Sequence, residues 1–353
     1  MNKAAFFFFP LLALLFSLAL APFPVWGGQA NIFVYHRFGD DRYPSTNVSL
    51  RDFEAHLKVL SKEKVEVLPL GEVVERLRQG RPLPTACAVL TVDDGYKSFL
   101  SGAMPLLRRF GFPATLFVST GSVGGEGFLS WEELHRLSRE GIEIGSHSAS
   151  HAHYVERSPG ESMPQWLARV RGDIVTAQDV FRKELGGSPR LFSYPYGEYC
   201  PEIAELVESL GFSGAAGQHS GVVNSVDQVF SLPRFPMGGP FAVLESFSSK
   251  LKMKALPVEV LSPGSPLLGE ENPPLLRVTI ADKDVDLGRL RCFVAGQEEG
   301  RIEVDPSRSD GYLIQALKPL TARRTKYTLT APSKDGKKWY WFSQLWIRTG
   351  LPE

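Results

Sequence analysis

Ala86-Cys87-Ala88-Val89-Leu90-Thr91-Val92 runs without a charge straight into Asp93-Asp94-Gly95. A run this short and this apolar reads as a strand buried on both faces, as in parallel sheets covered by helices. Neighbouring residues on a strand face opposite ways, so two carboxylates at its end can take separate jobs. Read alone, Asp-Asp-Gly is more often a turn that caps the next element.

The same alternation extends in both directions. Upstream lie an apolar strand, Asn31–His36, and a helix over Ser49–Ser61. That helix has Ser49 as N-cap and Leu50, Phe53, Leu57 and Leu60 on one face. A strand at Val65–Leu68 and a helix at Leu70–Arg78 follow. Downstream come a helix at Ala103–Phe110, a buried strand at Ala114–Ser119, and a helix opened by the capping box Ser130-Trp131-Glu132-Glu133. A strand at Ile142–Gly145 leads to a long amphipathic helix over 165–185, stopped by Gly186-Gly187 and Pro189. Leu191–Tyr194, Glu202–Leu210 and Ser213–Ala216 then read strand, helix, strand. Alternating apolar strands and helices predict an α/β body with a parallel sheet.

After 250 the pattern changes. Prolines 257, 263, 266, 273 and 274 mark a seam or a first edge strand. Beyond them lie strand-like runs at Leu275–Ala281, Leu290–Ala295, Arg301–Val304, Tyr312–Leu317, Lys326–Thr330 and Trp339–Ile347, with turns at Asp310-Gly311 and Asp335-Gly336. Helical periodicity is absent, which predicts a smaller all-β sandwich of immunoglobulin or fibronectin type. Trp339, Trp341 and Trp346 read as its core and edge, and Tyr327 as a tyrosine corner.

The chain has 353 residues, enough for two domains. Lys+Arg and Asp+Glu both number 39, so the basic excess of a nucleic-acid binder is missing and no nucleic-acid partner is expected. Cys87, Cys200 and Cys292 offer neither a disulfide framework nor a cysteine zinc site. Residues 1–30 read as a signal peptide. Lys3 precedes an apolar run from Ala4 to Ala21, and Ala19-Leu20-Ala21 is a small-x-small cleavage pattern. A second cut could follow Ala30. The competing reading is an uncleaved anchor giving membrane association, because about 18 apolar residues is the lower edge of a spanning helix. Either reading puts the protein outside the cytoplasm, periplasmic or secreted. The domains expected are therefore a signal peptide at 1–30, an α/β body at 31–250 and a β-sandwich at 256–353.

Two further segments end predicted strands. In Gly145-Ser146-His147-Ser148-Ala149-Ser150-His151, histidines at i and i+4 would share one face of a helical turn, an arrangement suited to a metal. Surface histidines on a loop are the alternative. Three of the seven histidines, His147, His151 and His153, fall within seven residues, which favours metal. In Phe192-Ser193-Tyr194-Pro195-Tyr196-Gly197, Pro and Gly fix a turn that can aim a backbone N–H into a pocket.

Together, TVDDG, HSxxH and YPYG resemble the motifs of the polysaccharide deacetylase (NodB-homology) family over about residues 31–240. The YHRF, PSTNVSL and LPL segments look like the branch acting on exported poly-N-acetylglucosamine. The resemblance implies a distorted (β/α)7 barrel that removes acetyl groups from an N-acetylated polysaccharide. Metal-activated water would be the attacking group, with partners in exopolysaccharide export. Asp94, His147 and His151 would hold a divalent metal: zinc first, with cobalt, manganese, nickel or iron(II) as alternatives. Asp93 would be the general base, and Tyr196, in its turn with Pro195, would meet the substrate through its backbone N–H.

This chain departs from the family at two points. Many members have Arg where Ser193 stands, to orient the base. Arg234 is the candidate replacement, though a surface or structural role is its commoner reading. Many members also take the general acid from a late Leu-x-His, and no histidine follows His219. Members with Tyr-His on the first strand use that histidine, which here is His36; His219 is the rival. His153, Tyr154 and Trp131 could stack on sugar but are left out of the expected site. The alternatives are a peptidoglycan or chito-oligosaccharide deacetylase and a glycan-binding protein impaired in catalysis by the missing Arg.

Overall fold

The computed structural model describes residues 28–224, 229–280 and 284–352. Most of the expected signal peptide lies outside the described residues. Among those described, no helix is long and apolar enough to cross a membrane.

The N-terminal body is built on parallel strands: β1 (Ala30–Tyr35), β2 (Cys87–Val92), β3 (Thr115–Val118), β4 (Glu143–Ser146), β5 (Leu191–Ser193), β6 (Gly214–Ala216) and β7 (Phe235–Pro236). They lie in the order β7-β1-β2-β3-β4-β5-β6, and the short strand Glu66–Val67 also pairs with β2. β1 and β2 are in register along their whole length, from Ala30 opposite Cys87 to Tyr35 opposite Val92. Every residue of both is buried, as their charge-free sequences require. The ladder does not close fully. Between β6 and β7 the segment 229–237 spans the gap, with Leu232 bonded to Ala215 and Gly217, and Met237 bonded to Val34. The result is a curled half-barrel of parallel strands rather than a continuously paired barrel.

Helices cover the sheet: α1 (Leu50–Lys62), α2 (Leu70–Arg78), α3 (Met104–Phe110), α4 (Trp131–Arg139), α5 (Met163–Leu185), α6 (Pro201–Ser209) and α7 (Leu244–Lys252). The caps sit where their residue types predict. Ser49 accepts from Asp52 N, and Ser130 and Glu133 form a reciprocal box. α5 starts earlier than its periodicity predicts because Ser162 caps it and Pro164 fits the first turn. α7 was not expected: three of its nine residues are serine or threonine-like breakers of pattern, and its one buried side chain is Phe247. Tertiary contact holds it, since Phe247 stacks on His56 of α1 at 4.2 Å.

The C-terminal body holds β8 (Val258–Ser262), β9 (Leu275–Ile280), β10 (Arg291–Val294), β11 (Arg301–Val304), β12 (Gly311–Gln315), β13 (Arg324–Pro332) and β14 (Trp339–Ile347). One sheet is β8-β9-β12-β11. The other is Lys254–Ala255, β14, β13 and β10. Leu276, Val278 and Ile314 from the first meet Cys292, Leu329 and Trp346 from the second in one apolar core. This two-sheet arrangement is compatible with the sandwich expected from sequence. Tyr327 is buried, and its hydroxyl joins Pro274 O and Ala316 N across the chain. The body packs tightly on the half-barrel. Leu345 and Ile347 enter a barrel core with Tyr194 and Cys200, and Ser343 donates to Ser220 O at 2.6 Å.

Candidate active site

Most candidate side chains sit just past the C-terminal end of a half-barrel strand: His36 after β1, Asp93 and Asp94 after β2, His147 after β4, and Pro195 and Tyr196 after β5, with His151 further along the loop after β4. Parallel packing puts all these ends at one rim. Five described non-glycine residues have positive φ, and four of them, Asp94, Ser148, His151 and Tyr196, are here. Such backbone is costly and persists where the surroundings impose it.

Asp94, His147 and His151 bring ligand atoms within 4.8 Å of one another, the one such group among the described residues. His147 Nδ1 donates to Ser193 O at 2.7 Å, which leaves Nε2 with a lone pair. That Nε2 lies 3.4 Å from Asp94 Oδ1 and 3.1 Å from His151 Nε2. Two imidazole lone pairs and a carboxylate oxygen converging this way suit a divalent cation. The convergence does not come from a helical turn, as the i, i+4 spacing predicted. Residues 147–153 are irregular, and left-handed Ser148 and His151 (φ 76 and 56) fold the histidines together.

Sequence reasoning missed what holds this loop. Asp173, on α5, accepts from the backbone N–H groups of Ala149 and Ser150 and from the Tyr154 hydroxyl. Ser119 Oγ donates to Ala149 O, and Ser148 Oγ accepts from His151 N. An acidic residue in the middle of a long amphipathic helix carries no local mark of such a role.

Asp93 is fully buried and meets Arg234, also fully buried. Nη1 donates to Oδ1 at 2.8 Å and Nη2 to Oδ2 at 2.7 Å. The guanidinium also donates to Ser193 Oγ, Thr91 Oγ1 and Gly217 O, so its fork is fully used. Arg234 is therefore neither a surface nor a remote structural residue. It reaches the carboxylate from the segment between β6 and β7, and Ser193 is short enough to admit it. Burial alone would raise the Asp93 pKa, but the Arg234, His147 and His36 charges outweigh it and bring it to about 2.

His36 is held low by burial, opposed by the nearby Asp94 and Asp93 carboxylates. Its Nε2 lies 3.4 Å from the Gln218 amide, a contact the sequence did not signal. The rival, His219, is pushed down to about 3 by burial and by the cations Lys326 and Arg234; neither aspartate is among the groups acting on it. Its Nδ1 is buried without a hydrogen-bond partner. Of the two, only His36 faces the carboxylates.

Pro195-Tyr196-Gly197 is a tight turn with Tyr196 at φ 57 and Gly197 at φ 69. A Cβ on Gly197 would collide with Gln218, so the turn and the His36 contact fix each other. The Tyr196 ring packs on His151 at 4.5 Å and stacks on His153 at 3.7 Å. The stacking candidates excluded from the site are otherwise engaged. Tyr154 is buried, Trp131 packs edge-on against Phe181, and one His153 face is covered by Tyr196.

A half-barrel of parallel strands with two aspartates and two histidines at its rim defines a NodB-like deacetylase fold. Residues 80–215 match the family described as polysaccharide deacetylase. The class comprises hydrolases of carbon–nitrogen bonds other than peptide bonds. The chain is 27% identical over 232 residues to a poly-beta-1,6-N-acetyl-D-glucosamine N-deacetylase of Escherichia coli (strain K12), covering 55% of this chain and 34% of that one. It is 25% identical over 193 residues to the protein so named in Staphylococcus aureus (strain MRSA252), covering 52% of this chain and 66% of that one. It thus spans a third to two thirds of these relatives. Among solved structures, IcaB from Ammonifex degensii superposes with a TM-score of 0.56 at 24% identity, over 64% of this chain and 97% of that one.

Proposed function

We propose that this protein is an exported N-deacetylase of an N-acetylglucosamine-containing polysaccharide, with zinc held by Asp94, His147 and His151. The carrying observation is the buried Asp93–Arg234 pair beside three converging ligand atoms. Family names of the relatives support the substrate, and the apolar run after Lys3 supports export.

A divalent cation at the triad supplies Lewis acidity, polarising the acetyl carbonyl and lowering the pKa of water. Asp93 stays ionised at neutral pH, and the Arg234 fork aims it. Oδ2 also accepts from Ser193 Oγ, so Oδ1, which takes one bond from Arg234, keeps the lone pair that can take a proton from the attacking water. The Tyr196 turn presents its backbone N–H to the oxygen that gains charge. His36, close to both carboxylates, acts as the acid in its imidazolium form: it gives that proton to the nitrogen as the C–N bond breaks, while Asp93 holds the proton taken from water. The products are acetate and a free amine.

The buried guanidinium on Asp93 removes the feature that favoured a catalytically impaired glycan binder. The test is acetate release from N-acetylglucosamine oligomers, with and without added zinc or cobalt, beside Asp93→Asn. Metal-dependent release lost in the variant is expected. Glycan binding with no release under any metal overturns the proposal.

A further inference from the structure

We infer that Arg323, in the C-terminal body, is a positioning residue for the Tyr196 turn, acting through Glu198 and His153. The inference rests on the deacetylase reading above and assigns the C-terminal body a part in turnover.

The chain of contacts is continuous. Glu198 is fully buried directly after the turn. Arg323 Nε donates to its Oε1 at 2.7 Å and Nη2 to its Oε2 at 2.9 Å, the paired geometry that fixes a carboxylate in direction as well as place. Arg324 Nη1 adds a third bond at 3.0 Å. The same carboxylate meets His153 Nδ1 at 2.8 Å, which sets the plane of the imidazole. That plane lies 3.7 Å from the Tyr196 ring at an interplanar angle of 11°. Across the tyrosine stands His151, at 4.5 Å. Arg323 is itself anchored, donating through Nη1 to Glu156 Oε1 and Leu351 O, both at 2.6 Å.

Tyr196 needs such support. A tyrosine at φ 57 carries a backbone cost that persists only where its surroundings hold it, and the stacked ring adds to the two backbone bonds of the turn. The network is also more than adhesive. The bodies already share an apolar core at Leu345 and Ile347, the Ser220–Ser343 bonds, and strand pairing of Lys254–Ala255 with β14. None of those contacts touches the turn.

The test compares Arg323→Ala, His153→Ala and His153→Phe with Ser343→Ala, which cuts interface bonds away from the turn. Acetate release and amide hydrogen exchange are both read. Arg323→Ala and His153→Ala should lower kcat about tenfold or more with KM within about threefold, as misplacement of a catalytic group does. Exchange should rise at residues 196–198, the N–H-bearing positions of the turn. His153→Phe, which restores the stack, should recover part of kcat, and Ser343→Ala should keep wild-type kcat. Unchanged kcat and exchange in both Arg323→Ala and His153→Ala overturn the inference, as does an equal loss in Ser343→Ala. If the wild type releases no acetate, the deacetylase reading falls, and exchange at 196–198 still decides the brace.

Discussion

Asp93 and Arg234 are a buried ion pair whose two members were read very differently from sequence. Asp93 announces itself at the end of a charge-free strand. Arg234 lies 141 positions later in a proline-flanked stretch with no pattern of its own. Breaking such a pair leaves a charge stranded in the interior. Arg234→Met should therefore cost about 3–5 kcal/mol in urea unfolding and most of the turnover. Arg234→Lys should not restore turnover, because an ammonium cannot make two parallel bonds to one carboxylate. Turnover in Arg234→Lys within twofold of wild type would show that charge alone suffices. The two histidines offer a second contrast. His36→Ala should lose most acetate release while zinc content stays normal, and His219→Ala should keep it. The reverse ranking would transfer the acid role to His219.

Among the elements, the segment 147–153 shows how spacing can point to residues that converge, but for the wrong reason. Histidines four apart suggested a helical turn, yet left-handed residues and Asp173 bring them together. Asp173→Ala removes the acceptor for Ala149 N, Ser150 N and the Tyr154 hydroxyl. Metal affinity should fall about 10–100-fold, as when an outer partner of a ligand is lost, while the helix itself stays folded. Competition against a zinc-binding dye measures it; an unchanged affinity would show that the loop holds its own shape. The strands β1, β2 and β3 and the capped helices α1 and α4 were legible because their signals are local: charge-free runs, apolar spacing and capping serines. The two-residue β7 and the helix α7 were not, because partners distant in sequence hold them.

The whole molecule carries a pH dependence through His56. It lies on α1, buried against β1 and α7, with Tyr35 Oη at 3.1 Å, Ala242 O at 2.9 Å and Phe247 stacked on its ring. Asp52 is the charged group acting on it, and burial outweighs it, bringing the pKa down to about 4. The unfolded chain takes up a proton near pH 6.5 that the folded protein refuses. Stability is thus full above about pH 6.5 and falls as pH drops toward 4, by at most about 3 kcal/mol. Urea midpoints at pH 7 and pH 5 should differ by less in His56→Phe than in the wild type. An equal difference in both would assign the pH dependence to other groups.

The sequence by itself determined the parallel α/β body, the all-β body after residue 250, and the choice of Asp93, Asp94, His147 and His151 as candidates that the fold brings to one rim. These depend on patterns within a strand or a turn, where neighbours along the chain are neighbours in space. Tertiary structure alone decided that Arg234 aims Asp93, that Asp173 shapes the histidine loop, and that Arg323 reaches the Tyr196 turn from the other body. Arg234 and Arg323 are charged groups drawn into the interior to meet a buried carboxylate, and Asp173 is a half-buried carboxylate that meets neutral donors. A buried charge takes whichever partner the fold brings within reach, and distance along the chain does not limit that choice.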